Sequence, residues 1–274
     1  MSKKRVFNSI LVAVACLMCA LVALSFCACD KKTNNIYERD NDFEYTVTDG
    51  EDALVYEPKD VKYSYGIIFY VGLFISPNQY GYLAEALAKQ GYLVIIPKFE
   101  MNDADSGYLE TEPAFSKYPN VKFFVGGHDR GGGAAIRRAQ ENPNSIVGTI
   151  LFAPWGISKQ VFNEKNEPAK DEDGNVIWTV YSIAELSLPT LLLETDCNSW
   201  RTEAIVADAK KRLNPNSTKE HILKNSCHYG FLSSPTQSVT IAMEDLTDEE
   251  LDAQHQSTVS LTLAFMRKTV LKQK

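Results

Sequence analysis

The chain has 274 residues, 45% of them hydrophobic and 23% charged, with a formal net charge of −7. That supply of apolar side chains excludes an intrinsically disordered chain, and the length allows one large or two small domains. Setting aside residues 1–28 leaves 25 basic against 35 acidic groups, and without a basic stripe nucleic acid is excluded as the expected partner.

At the N-terminus, Lys3-Lys4-Arg5 is cationic and Ile10 to Phe26 is a nearly unbroken apolar run. Phe26-Cys27-Ala28-Cys29 closes that run with small residues, and a polar stretch follows. These are the three parts of a secretory signal over residues 1–28. A cysteine directly after a small residue at the cleavage point resembles a bacterial lipobox. That resemblance implies Cys29 as the first, lipidated residue of an extracytoplasmic protein held at the cell membrane. An uncleaved anchor of about 20 residues is the alternative, since that length just spans a bilayer. Residues 29–45 are polar and read as a linker, leaving 46–274 as the folded domain.

Within the domain, short alternating runs on either side of Asp49-Gly50 predict a β-hairpin. Gly66–Val71 is a continuous apolar run, as expected of a strand buried on both faces. A loop over Gly72–Pro77 leads to a helix over Asn78–Gln90, ended by Gly91. Tyr92–Ile96 is a second buried strand, and part of Asp103–Tyr118 is helical. Val121 to Val125 is a third strand, running into a glycine-dense corner and an alanine-rich helix that reaches about Glu141. Ile146–Phe152 is a fourth. The charged, turn-rich stretch 156–187 reads as an excursion such as a small hairpin. Leu188–Glu194 is a strand, Arg201–Leu213 a helix, Lys219–Leu223 a short strand, and Leu246 to Leu271 a final helix. Strand and helix alternate, which predicts an α/β fold with a mainly parallel sheet covered on both faces.

The corner Gly127-His128-Asp129-Arg130-Gly131 has the spacing of a nucleophile elbow, with Asp129 at the apex. On its own the motif is weak, because glycine-rich corners are common. Two later residues add weight. Asp196 follows the strand Leu188–Glu194, and His228 follows the last strand. Nucleophile, acid and histidine then stand in that chain order, each at the carboxyl end of a strand, where open α/β sheets collect ligands.

From about residue 50 onward the chain resembles the dienelactone-hydrolase-like branch of the α/β hydrolases. Tyr70–Tyr80 is similar to the family's first strand and oxyanion loop, with Val71-Gly72-Leu73 in place of a Pro-Gly-Gly. Leu83–Ala88 followed by Gly91-Tyr92 resembles the next helix and turn. Gly126-Gly127-His128-Asp129-Arg130-Gly131-Gly132 matches a family Gly-Gly-His-Ser-Leu-Gly-Gly, departing from it at Asp129 and Arg130. The resemblance implies an α/β-hydrolase fold with little or no cap, and oxyanion-hole N–H donors from Leu73 or Phe74 together with Arg130.

An aspartate in the elbow changes the chemistry. Attack of a carboxylate on an ester carbonyl would give an anhydride. Asp suits an sp³ carbon bearing a halide or an epoxide oxygen, where it forms an enzyme ester that water, activated by His228, then cleaves. The His-Asp-Arg-Gly stretch also resembles the elbow of fluoroacetate dehalogenases, which implies that Arg130 holds a substrate carboxylate. The second arginine of that family is Gly133 here. Trp155, Trp178 and Tyr229 are candidates for the leaving-group donors that a larger cap supplies, with simple packing as the alternative. The expectation is a hydrolase acting on a small ester, haloacid or epoxide. Two alternatives stand beside it: a scaffold that binds without cleaving, and an esterase in which water activated by His228 attacks the substrate directly.

Cys197 and Cys227 flank the expected acid and base, so a hydrogen bond between Asp196 and His228 would bring them within reach of a disulfide. No metal or cofactor is expected. His221 and His255 lack partners at ligand spacing, and Gly126–Gly133 lacks the lysine of a phosphate loop.

Overall fold

A computed structural model of the chain describes residues 36–107, 112–197, 201–234 and 246–273. The chain divides into Met1–Ile36 and Tyr37–Lys274, and the second unit carries the fold. The expected signal segment and Cys29 lie outside the described residues.

The eight-stranded sheet has the order β1-β2-β4-β3-β5-β6-β9-β10. Its strands are β1 (Tyr45–Asp49), β2 (Ala53–Pro58), β3 (Tyr65–Tyr70), β4 (Leu93–Pro97), β5 (Lys122–His128), β6 (Ile146–Phe152), β9 (Thr190–Cys197) and β10 (Thr218–Cys227). β1 and β4 both run antiparallel to β2, and every pairing from β4 to β10 is parallel. The continuous apolar runs read from the sequence are the central strands. All five positions of β4 are buried, as are the last six of β5, because both faces of these strands are covered.

The helices are α1 (Gly81–Lys89), α2 (Ala104–Gly107), α3 (Glu112–Lys117), α4 (Arg130–Glu141), α5 (Glu203–Lys211) and α6 (Asp248–Leu271). α1 packs with α6, and α4 with α2, on the expected doubly covered sheet. α6 begins in a capping box: Thr247 and Glu250 satisfy each other's backbone N–H groups. Gly91 stands at φ 86 just past α1, the left-handed stop that its sequence predicts. The excursion after β6 is a small antiparallel pair, β7 (Ser158–Gln160) with β8 (Trp178–Val180).

Three boundaries differ from the sequence reading. The polar stretch before residue 46 is docked on the domain from Tyr37 onward. The buried Tyr37 hydroxyl donates to Gly91 O at 3.1 Å and accepts from the Ser64 and Tyr65 N–H groups. Phe43 N–H donates to Lys89 O at 3.0 Å. A polar segment satisfying its backbone against a neighbour carries no periodicity to read. The last strand, expected over five residues, extends over ten, with a register shift between Leu223 and Cys227 carrying it to the histidine. β9 likewise runs on to Cys197, which places Asp196 inside a strand rather than in the loop beyond it.

Candidate active site

The elbow is built by steric exclusion. Asp129 lies between β5 and α4 with φ 55 and ψ −127, a conformation rarely held by a side-chain-bearing residue. A Cβ on Gly127 would stand 2.3 Å from Gly131 O, and one on Gly131 would stand 2.3 Å from both Tyr70 O and Val71 O. Only glycine lets β5, β3 and α4 pass this closely. The strained residue is held by its own backbone: its N–H donates to Phe152 O at 3.1 Å, and its carbonyl accepts from Gly132 and Trp155.

The Asp129 carboxylate faces two ways. Its Oδ2 accepts the Leu73 N–H at 3.2 Å, and its Oδ1 lies 3.7 Å from His228 Nε2. Burial raises the Asp129 pKa, opposed by the N–H groups of Arg130 and Leu73 and by the charges of Arg130 and Arg201. The N–H groups of Leu73 and Arg130, two of the residues expected to line an oxyanion hole, thus bond to the Asp129 carboxylate. Phe74, the alternative to Leu73, stands at φ 62 with its side chain 60% exposed. Behind the loop, Gly72 N–H donates to the Tyr80 hydroxyl, leaving the Tyr80 O–H to donate to His128 Nδ1, both at 3.0 Å. Burial holds the His128 pKa far below the usual value, so this histidine is neutral packing beneath the elbow.

His228 opens a single 3-10 turn, His228–Phe231, at the end of β10 and is buried. Its ring lies between His128, at 4.4 Å between centroids, and Tyr229, at 5.1 Å edge-on. Burial first, and the Arg201 charge second, push its pKa down to about 3. The turn is pinned by Gln254 of α6, whose side chain accepts from Cys227 N–H at 3.1 Å and donates to Cys227 O at 2.9 Å.

The expected hydrogen bond between Asp196 and His228 is not formed. Asp196 instead accepts the backbone N–H groups of Asn225 and Ser226, each at 3.1 Å, with Lys224 Nζ at 3.9 Å. The reason is local: Asn225 turns into the left-handed region at φ 48, which aims two successive amides at the neighbouring strand. Of the two possibilities for Cys197 and Cys227, a disulfide or two thiols, the structure has the second. Cys197 and Cys227 are register partners on β9 and β10 but remain thiols, the first exposed and the second buried beyond the register shift.

Two guanidinium groups stand near the elbow. Arg130, expected to hold a substrate carboxylate, donates to Asp105 Oδ2 of α2 at 2.8 Å. Arg201 is buried, with Nη1 on Glu194 Oε2 at 2.5 Å and Nη2 on Pro154 O at 2.6 Å. The sequence reading missed this pair, although a carboxylate inside the apolar run of β9 is a signal that a buried cation must answer. Gln254 gave no such signal on its helix. Trp155 is half-buried, and its indole N–H has no acceptor among the described residues. Tyr229 borders the imidazole, whereas Trp178 is 54% exposed on the excursion. Among the described residues, no group of three His, Cys, Asp or Glu side chains is placed to hold a metal.

The family model described as "Alpha/beta hydrolase family" matches residues 66–237. No curated protein matches the chain. Among solved structures, the chain is similar to a predicted CIB-like hydrolase from Thermoplasma acidophilum, at 14% identity and TM-score 0.51, covering 82% of this chain and 98% of that one. It is also similar to Est1E from Butyrivibrio proteoclasticus, at 15% identity and TM-score 0.50, covering 82% and 98%. Est1E with ferulic acid bound gives 12% identity and TM-score 0.51, covering 81% and 99%. At these identities the likeness is one of fold.

Proposed function

Because the chain belongs to the alpha/beta hydrolase family, we propose that it hydrolyses a small organic substrate through an ester on Asp129. His228 is the base, and Asp196 positions the histidine loop. The observation that carries this reading is the division of the Asp129 carboxylate, with Oδ2 on the Leu73 N–H and Oδ1 facing His228 Nε2 at 3.7 Å. In the first step Oδ1 attacks an sp³ carbon; the C–O bond forms as the bond to the leaving group breaks, and its electron pair departs with that group. In the second, His228 Nε2 takes a proton from water while the water oxygen adds to the Asp129 carboxyl carbon. Negative charge then develops on Oδ2, against the N–H groups of Leu73 and Arg130. Collapse breaks the bond to Oδ1, the product leaves as an alcohol with the proton from His228, and loss of the remaining water proton to solvent restores the carboxylate.

Placement in the dienelactone-hydrolase-like branch rests on the stretches Tyr70–Tyr80 and Gly126–Gly132. Attachment to the outer face of a cell membrane rests on the signal-like segment and Cys29; Cys29→Ser should release the protein or leave its precursor uncleaved. The test of the chemistry is mass spectrometry of the His228→Gln protein after exposure to haloalkyl, epoxide and ester probes, with an adduct expected on Asp129. A second reading, a binding protein on this scaffold, is favoured by one observation, the Asp196 carboxylate spent on backbone amides rather than on the imidazole. Tight binding of a probe that never labels Asp129 would support it.

A further inference from the structure

Among the described residues, four cations at the ends of strands lie beside carboxylates. Arg130, after β5, is 2.8 Å from Asp105, and Asp105 also draws Arg137 at 4.0 Å. Arg201, after β9, is held by Glu194 on one side and by the Pro154 carbonyl on the other. Lys98, after β4, is 2.6 Å from Asp49, and Lys224 on β10 faces Asp196. The internal stretches 108–111, 198–200 and 235–245 contain no Lys, Arg or His, so none of them can bring a further cation to the cleft. Both histidines beside the elbow are held neutral by burial. The cations that act on Asp129, Arg130 and Arg201, are thus both already paired with carboxylates.

We infer that the cleft selects uncharged substrates and rejects carboxylates, with Asp105 as the specificity-determining residue that neutralises Arg130. This rests on the proposed hydrolase site and narrows it to neutral haloalkyl or epoxide compounds, setting haloacids aside. An anionic substrate would meet the Asp129 carboxylate beside two guanidinium groups, Arg130 and Arg201, that are already paired with carboxylates, and like charges a few ångströms apart in a partly buried site repel strongly. To recruit Arg130 Nη2 it would have to compete with Asp105, whose pairing is intramolecular and already formed. A neutral substrate incurs neither cost.

The test uses fluoroacetamide and fluoroacetate, which differ little in size and fully in charge, followed by ¹⁹F NMR line broadening on the full-length protein. Wild type should broaden the amide at concentrations where the acid stays sharp. Asp105→Asn should raise the affinity for fluoroacetate about tenfold, the scale of one charge-assisted hydrogen bond, and leave the amide nearly unchanged. Equal or tighter binding of fluoroacetate by wild type would overturn the inference, as would an Asp105→Asn protein with unaltered preference, or no binding of either probe to either protein. If Asp105→Asn does not fold, the wild-type preference decides alone. Trapping of a chloroacetamide-derived ester on Asp129 in His228→Gln reports separately on the nucleophile, so failure of the chemistry is distinguishable from failure of the selectivity.

Discussion

The Leu73 N–H holds Asp129 Oδ2 at 3.2 Å, so the donor that would stabilise an oxyanion is already engaged with the carboxylate on which that oxyanion would form. One oxygen is fixed and the other is left to react. This arrangement suits a carboxylate nucleophile, whose own carbonyl becomes the charged centre in the second step.

That geometry predicts where the product oxygen originates. In a single turnover in ¹⁸O-labelled water, the product should carry the unlabelled Oδ1 of Asp129 and the label should enter Asp129. Asp129→Ala should lower turnover by at least ~10³-fold. Label appearing in the product of the first turnover would mean that water attacks the substrate directly.

The two titrating groups predict a pH profile. Asp129 must be ionised and its pKa is raised by burial, whereas His228 must be neutral and its pKa is pushed down to about 3. As pH falls, Asp129 protonates first, so kcat/KM should drop along a limb shifted upward from the usual position of an aspartate. A limb at the usual imidazole value would show that His228 is not held neutral in this way.

Asp196 is bonded to the Asn225 and Ser226 amides, not to the imidazole. Asp196→Ala should therefore cost roughly 10–100-fold in kcat, through a loosened histidine loop. A loss near the ~10⁴-fold typical of a group that orients the imidazole directly would place Asp196 on His228 during turnover.

The Glu194–Arg201 pair is buried and closely hydrogen-bonded. Glu194→Gln should destabilise by about 3–5 kcal/mol in urea unfolding, because Arg201 is left as an uncompensated buried charge. Replacing both, as Glu194→Leu with Arg201→Met, should recover most of that loss. A single variant as stable as wild type would show that the pair is hydrated.

Gly131→Ala brings a methyl group against two backbone carbonyls of the β3 end. The cost should be at least about 1–3 kcal/mol, together with loss of activity as the elbow opens. Unchanged melting and turnover would contradict the close crossing of β3 and α4.

The sequence by itself determined the succession of strands and helices, the glycine corner with Asp129 at its apex, and the placement of Asp196 and His228 near carboxyl ends of strands. These are legible because they are local: apolar runs mark strands covered on both faces, and only glycine fits where backbones cross at Gly127 and Gly131. Only the tertiary structure decided which atoms meet. Asp196 turns to Asn225 and Ser226, Gln254 anchors Cys227, Arg201 answers Glu194, Asp105 takes Arg130, and Cys197 and Cys227 remain thiols. The physical reason is range. A hydrogen bond is won or lost within about 0.5 Å and a few tens of degrees, and those tolerances depend on strand register, a left-handed turn at Asn225 and the seating of α6, none of which a single residue's neighbours in sequence specify.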